Sequence, residues 1–126
     1  MICPVARGLF VCERVEQAEG SKNLSLLNVF ARLQVRKFPS DPTEFSIFAG
    51  LTGGIGTATI RVTISRVMDN YLIYSREHRV TFLDRVAEVR VVLRLLDVGF
   101  PNAGQYSVEL LADGELVAQS VIYVEE

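Results

Sequence analysis

The stretch that decides the fold is Phe100-Pro-Asn-Ala-Gly-Gln-Tyr-Ser-Val-Glu-Leu-Leu-Ala-Asp-Gly-Glu-Leu-Val-Ala-Gln-Ser-Val-Ile-Tyr-Val124. It reads as a β-hairpin. Asp113-Gly114 suits a two-residue type I′ turn, because both central positions need φ > 0 and Asp-Gly tolerates that. With this turn Ala112 faces Glu115, and pairing runs outward from there. Leu110 then meets Val117, Val108 meets Gln119 and Tyr106 meets Val121. The opposite face carries Leu111 with Leu116, Glu109 with Ala118 and Ser107 with Ser120. The first face is the more continuous apolar one, so it is assigned to the core.

Upstream, period-2 alternation recurs. Leu9, Phe10, Val11, Cys12 and Val15 lie in an apolar segment over residues 7–17, closed by the polar, Gly-containing residues 18–23. Residues 24–36 read as one long strand, bent in the middle, with Leu27, Val29, Ala31, Leu33 and Val35 on one face. Phe38-Pro-Ser-Asp-Pro42 ends it, since Pro is excluded from a central ladder. Phe45, Ile47, Ala49 and Leu51 alternate with Ser46, Phe48 and Gly50. The glycine-rich Gly53-Gly-Ile-Gly56 follows. Ala58, Ile60, Val62 and Ile64 then alternate with Thr57, Thr59, Arg61, Thr63 and Ser65. Asp69-Asn70 turns the chain into an extended segment over residues 71–83, and Asp84-Arg85 turns it again. Ala87, Val89, Val91, Leu93 and Leu95 alternate with Glu88, Arg90, Val92 and Arg94. A helix there is the competitor, but alternation and the many valines oppose it.

The sum is about eight strands with turn signals at short spacing. Strand follows strand with no crossover helix, so antiparallel sheets are expected. Tyr106, two residues before the core position Val108, stands where immunoglobulin-like sandwiches place a Tyr whose hydroxyl bonds back to the backbone. The plainer alternative is a half-buried strand residue. The expected fold is an all-β, antiparallel immunoglobulin-like β-sandwich, one domain over residues 1–126. The length of 126 residues suits one domain and a real core. Hydrophobic residues make up 49 % and charged residues 22 %, which excludes a disordered chain.

Function is not written in a motif. The net charge of −2 gives no global basic field, so nucleic acid is not the expected partner. The two cysteines, Cys3 and Cys12, make no disulfide framework. A Cys3–Cys12 bridge is one reading, and two idle thiols in a reducing compartment is the preferred one. Residues 1–7 lack the charged and apolar regions of a secretory leader. No apolar run approaches the roughly 18 residues of a membrane helix. The expectation is a cytoplasmic protein, or a virion or assembly component made in the same compartment.

His78 is the lone histidine, set in Arg76-Glu-His-Arg79 among charges. General acid–base work needs a positioned partner and a pocket, so a solvated surface residue is the preferred reading. One His and two cysteines without a Cys-x-x-Cys make no zinc set. Ser65, Ser75, Ser107 and Ser120 lack a Gly-x-Ser-x-Gly elbow. The Gly53–Gly56 loop precedes a Thr-rich strand with no Lys nearby, unlike a phosphate cradle. The carboxylates, among them Asp41 with Glu44 and Glu125 with Glu126, lack calcium-loop spacing. No catalytic, cofactor or metal residue is assigned.

The suggestive feature is a concentration of arginine. Arg61, Arg66, Arg76, Arg79, Arg85, Arg90 and Arg94 lie close in sequence, with Tyr71 and Tyr74 between them, and Arg favours bidentate and interface contacts. The bland reading is a solvated face balanced by Glu77, Asp84 and Glu88. The candidate interaction surface is therefore Arg61, Arg66, Tyr71, Tyr74, Arg76, Arg79, Arg90 and Arg94. Carbohydrate binding would want exposed flat aromatics, and Trp is absent.

At Leu9-Phe-Val-Cys-Glu-Arg-Val15, Leu26-Leu-Asn-Val-Phe30, Phe38-Pro39 and Phe100-Pro-Asn-Ala-Gly-Gln-Tyr106 with Asp113-Gly114, the chain resembles a small bacterial family of uncharacterised single-domain proteins. These are strand and turn motifs. The resemblance implies a fold and no site residue. The expected function is a non-enzymatic protein-interaction or assembly module, with a protein partner or self-association, acting through a sheet face, an edge strand or loops. The alternative is a sandwich that binds a carbohydrate or another small molecule. An enzyme is the third reading, for which no constellation converges.

Overall fold

The computed structural model describes residues 4–126. Among them it has nine strands, β1 (Val5–Gln17), β2 (Leu24–Val29), β3 (Arg32–Gln34), β4 (Thr43–Thr52), β5 (Gly56–Arg66), β6 (Tyr71–Phe82), β7 (Val89–Val98), β8 (Gly104–Ala112) and β9 (Glu115–Glu125). They form two sheets, ordered β2-β1-β4-β7 and β3-β9-β8-β5-β6. No helix of the described residues is long and apolar enough to cross a membrane.

The inward positions are those the alternation marks. Phe45, Ile47, Ala49 and Leu51 of β4 are buried, as are Ala58, Ile60, Val62 and Ile64 of β5. Val91, Leu93 and Leu95 of β7 lie beside the β4 residues on the same sheet, and Tyr106, Val108, Leu110 and Ala112 of β8 lie beside those of β5 on the other, completing the core. An aromatic row runs through it. Phe30 meets Phe45 edge-on at 6.1 Å between ring centroids, Phe45 stacks on Phe100 at 6.4 Å, and Phe100 meets Tyr106 edge-on at 5.0 Å. Such geometries suit the ring quadrupoles and tie the sheets together.

Three expectations change. The single strand over residues 24–36 is two strands in two different sheets. The Phe30 amide still bonds the Val11 carbonyl at 3.0 Å, but the next carbonyl, of Ala31, accepts from the Tyr123 amide at 2.8 Å. The chain thus leaves β1 at Phe30 and joins β9 one residue later, which makes nine strands of the expected eight or so. The second change follows: β3 runs parallel to β9, while every other pairing is antiparallel. The third concerns the terminal hairpin. Asp113 and Gly114 have φ of 47° and 86°, as the type I′ turn requires. Ala112 does face Glu115, and Leu111 faces Leu116. The register then slips at Val117, so that Leu110 pairs with Ala118, Val108 with Ser120 and Tyr106 with Ile122. This one-residue bulge moves β9 to its other face. Ile122 and Val124 are buried where Val121 was expected, and Val121 faces solvent.

The Tyr106 side chain is fully buried and its hydroxyl donates to the Asn102 carbonyl at 2.7 Å. Burial raises the Tyr106 pKa above the ordinary phenol value. β7 lies in the sheet opposite β8, as expected, and β8 pairs with the last strand.

Candidate interaction face

The outer face of the four-stranded sheet is built from outward positions of β1, β4 and β7. Phe10 pairs with Phe48, and Phe48 with Val92, so these three side chains form one apolar row across three strands. Phe10, on an inner strand, is 41 % exposed, and Val92, on the edge strand β7, is 44 % exposed. One register step along, Gly50 pairs with Arg90. A Cβ on Gly50 would meet Glu88 Cδ at 3.7 Å and Arg7 Cβ at 3.9 Å, so Glu88 lies over the bare backbone there. Arg7 donates to Glu88 Oε2 at 2.7 Å and Arg90 to Glu88 Oε1 at 3.1 Å. Arg90, with Arg7 after it, holds the Glu88 carboxyl below the usual carboxylate range. On the opposite flank of the row from Arg90, Arg94 pairs with Glu44.

The β1–β2 hairpin lies over this face. A straight continuation of β1 would carry its tip far past the start of β4. Instead Arg90 donates to the Lys22 carbonyl at the tip. Asn23 and Leu24 share an open groove of about 410 Å³ with Arg7, Phe10, Phe48 and Arg90. Glu13, Arg14 and Val15 share a second groove, of about 620 Å³, with Ser46, Val92 and Arg94. The hairpin has therefore folded back across the sheet. The bend falls at Glu13 and Asn28, between the pairs Cys12–Val29 and Arg14–Leu27. Asn28 has φ of 54°, a left-handed conformation that Asn tolerates, and its side-chain amide donates to Glu13. Cys12 pairs with Ser46 and so points outward, yet it is fully buried. The bent chain covers it, and its thiol donates to the Arg14 carbonyl at 3.6 Å. Burial pushes the Cys12 thiol pKa up. The Cys3–Cys12 pairing lies outside the described residues.

The arginine concentration disperses over the molecule. Arg90 and Arg94 share the face just described. Arg76 lies on edge strand β6 and reaches across the open side of the sandwich to the Arg94 carbonyl at 3.1 Å. Tyr74, on β6, packs against the core. Arg61 and Arg79 stand on the outer face of the five-stranded sheet, Arg61 paired with Glu77 and Arg79 opposite Thr59. Arg66 and Tyr71 belong to a third place. The Arg66 guanidinium lies 5.0 Å from the Tyr71 ring centroid, bonds Asp69 at 2.7 Å and donates to Asn102 Oδ1 at 3.2 Å. It thereby braces the loop that receives the Tyr106 hydroxyl. Its hydrogen bond holds the Asp69 carboxyl below the usual range. Arg85 sits in the turn before β7, where its carbonyl accepts from the Gly53 amide at 3.1 Å.

His78 is exposed on β6, opposite Ile60. The Gly53–Gly56 loop is a packing device: a Cβ on Gly54 would come within 2.9 Å of the Phe82 ring. Residues missed in the sequence are Arg7, Phe10, Phe48 and Lys22. An aromatic at an outward position of an otherwise alternating strand is the signal for Phe48. The Lys22 contact left no local signal.

The molecule is thus a two-sheet, sandwich-like β domain with one hairpin folded over a sheet face. Residues 7–125 match the model of DUF6941, a family of unknown function, and the chain belongs to that family. No curated protein matches. Among solved structures, the chain is similar to the Pseudomonas fluorescens alkylpurine DNA glycosylase AlkC bound to DNA containing an abasic site analogue. The identity is 10 %, with 98 % of this chain and 30 % of that chain covered, at a TM-score of 0.57. It is also similar to the β-glucosidase of Listeria innocua in complex with isofagomine, at 11 % identity, 98 % and 16 % coverage and a TM-score of 0.52. The chain spans less than a third of either protein, and the likeness concerns the fold alone.

Proposed function

We propose that this protein is a non-enzymatic, immunoglobulin-like interaction or assembly module that works in the cytoplasm. Its docking surface is the outer face of the four-stranded sheet. The observation that carries the reading is the outward apolar row of exposed Phe10, half-buried Phe48 and exposed Val92, rimmed by the Arg7–Glu88–Arg90 and Arg94–Glu44 pairs. An apolar centre with a charged, arginine-rich rim is the anatomy of a protein interface. The buried Tyr106 with its hydroxyl on the Asn102 carbonyl supports the immunoglobulin-like assignment.

A second reading is favoured by the groove beneath the hairpin tip. Its volume of about 410 Å³ falls in the range of small-molecule sites. Its arginines already hold Glu88, which leaves less polar capacity for a ligand than for a rim that excludes water.

The test is the solution mass of protein isolated from its native cells, by light scattering, with and without Phe48→Asp. The expected result is a species heavier than the 14.0 kDa chain that Phe48→Asp returns to 14.0 kDa. Thr63→Asp, on the outer face of the other sheet, should leave the assembly intact. A 14.0 kDa species for the unaltered protein, at every concentration up to about 1 mM, overturns the reading.

A further inference from the structure

We propose that the β1–β2 hairpin is a hinged flap that occupies the interaction face and must swing off it before a partner docks. The inference rests on the reading of that face given above for its purpose, though not for its mechanics.

The flap has an apolar underside. Val15 pairs with Leu26 and Gln17 with Leu24, so these four side chains share one face. Val15 and Leu24 line the two grooves, and Val15, Leu24 and Leu26 are only half-buried. The flap covers the apolar row without sealing it. A segment with few buried contacts and solvent beneath it opens at lower free energy than the core does.

The hinge is confined to one register position, Glu13 with Asn28. There the chain bends, Asn28 takes its left-handed φ, and the Asn28 side chain bonds Glu13. Both strands of the hairpin keep their mutual pairing beyond the hinge, from Arg14–Leu27 to Gln17–Leu24. The hairpin can therefore move as a unit.

The latch is Arg90. Its guanidinium joins the Lys22 carbonyl at the flap tip to Glu88, and Glu88 is held in turn by Arg7. Latch and face are the same residues. A partner that takes Arg90 or Glu88 releases the tip and meets the uncovered apolar row, so opening and docking are coupled.

Cys12 reports on the flap, because it points outward from the sheet and is hidden by the bend. The experiment is alkylation of Cys12 by iodoacetamide in a Cys3→Ser background. Arg90→Ala should speed labelling about five-fold, the scale of one lost hydrogen bond to a charged group at a partly exposed site. Arg94→Ala, which loses only the Glu44 pair, should leave the rate within about two-fold. In dilute urea the labelling should depend on denaturant less steeply than global unfolding, because flap opening exposes less surface. Equal rates for Arg90→Ala and its parent, or a urea dependence as steep as that of global unfolding, overturn the flap. The two readings separate cleanly. Faster labelling with an assembly unchanged by Phe48→Asp keeps the flap and removes the docking surface. Unchanged labelling with an assembly broken by Phe48→Asp does the reverse.

Discussion

Two hairpins of this molecule have opposite fates. The β8–β9 hairpin lies inside a five-stranded sheet, with Tyr106, Val108, Leu110 and Ile122 fully buried and its entry pinned by the Tyr106 hydroxyl. The β1–β2 hairpin is embedded only through the first half of β1. Past Cys12 it bends, lies on the outside of the other sheet and buries its apolar side chains by half. Both are antiparallel hairpins rich in Leu and Val. The difference is what lies on either side of each strand. β8 has β9 beside it throughout and β5 from Tyr106 to Ala112, whereas β2 has only β1. β4 accompanies β1 only as far as Cys12, and the rest of the hairpin takes its cover from the outer face of the sheet it starts in.

Point mutations separate the two hairpins by what each loses in stability. The largest effect is expected from Leu110→Ala in the packed hairpin, which should cost about 3 kcal/mol in denaturant unfolding, since the cavity is closed on all sides. A loss under about 1 kcal/mol there would mean that this hairpin is not part of the core. Gly114→Val comes next. At φ of 86° a branched side chain is strained, and a loss of about 1–2 kcal/mol is expected. Tyr106→Phe should cost about 1 kcal/mol, by removing the hydroxyl and leaving the Asn102 carbonyl short of a partner. Unchanged stability would remove the pinning role. Leu26→Ala in the folded-back hairpin should cost less than about 1 kcal/mol, because the site is half open to solvent.

The smallest effect is one of pH. The Asp69 carboxyl is held below its ordinary range, first by the Arg66 hydrogen bond. A carboxylate of lowered pKa contributes stability above its unfolded-state value, and the contribution fades as pH falls through the folded-state value. The melting-temperature gap between the unaltered protein and Arg66→Gln should therefore be constant from neutral pH to about pH 4 and close below it. A gap that closes well above pH 4 contradicts the Arg66–Asp69 assignment.

The same contrast explains what the sequence showed and what it hid. Asp113-Gly114 and the alternation of β4, β5, β7 and β8 are local signals, and they predicted the turn and the buried faces. The slip at Val117 was hidden because Leu116, Val117 and Ala118 are all apolar, so alternation has no mark there. The division of residues 24–36 was hidden because both pieces are good strand sequence, and the switch between sheets is made by hydrogen bonds to Val11 and Tyr123, both remote. The arginines cluster in the chain because β5, β6 and β7 are consecutive, but β5 and β6 belong to one sheet and β7 to the other. Only Arg90 and Arg94 reached the candidate face. The flap was illegible because its latch joins Arg90 to a residue 68 positions away.

Native-state hydrogen exchange tests the contrast most directly. The amides of Glu16 and Ser25, which bond each other across the β1–β2 hairpin, should exchange through a local opening, at least about 2 kcal/mol below the global unfolding free energy and faster still in Arg90→Ala, because a hairpin lifted off its face is an isolated two-stranded ribbon of marginal stability. Those of Val108, Leu110 and Ile122 should exchange only on global unfolding. Equal protection of the two hairpins, unaltered by Arg90→Ala, would show that the β1–β2 hairpin is an integral layer of the fold and that no flap guards the sheet face.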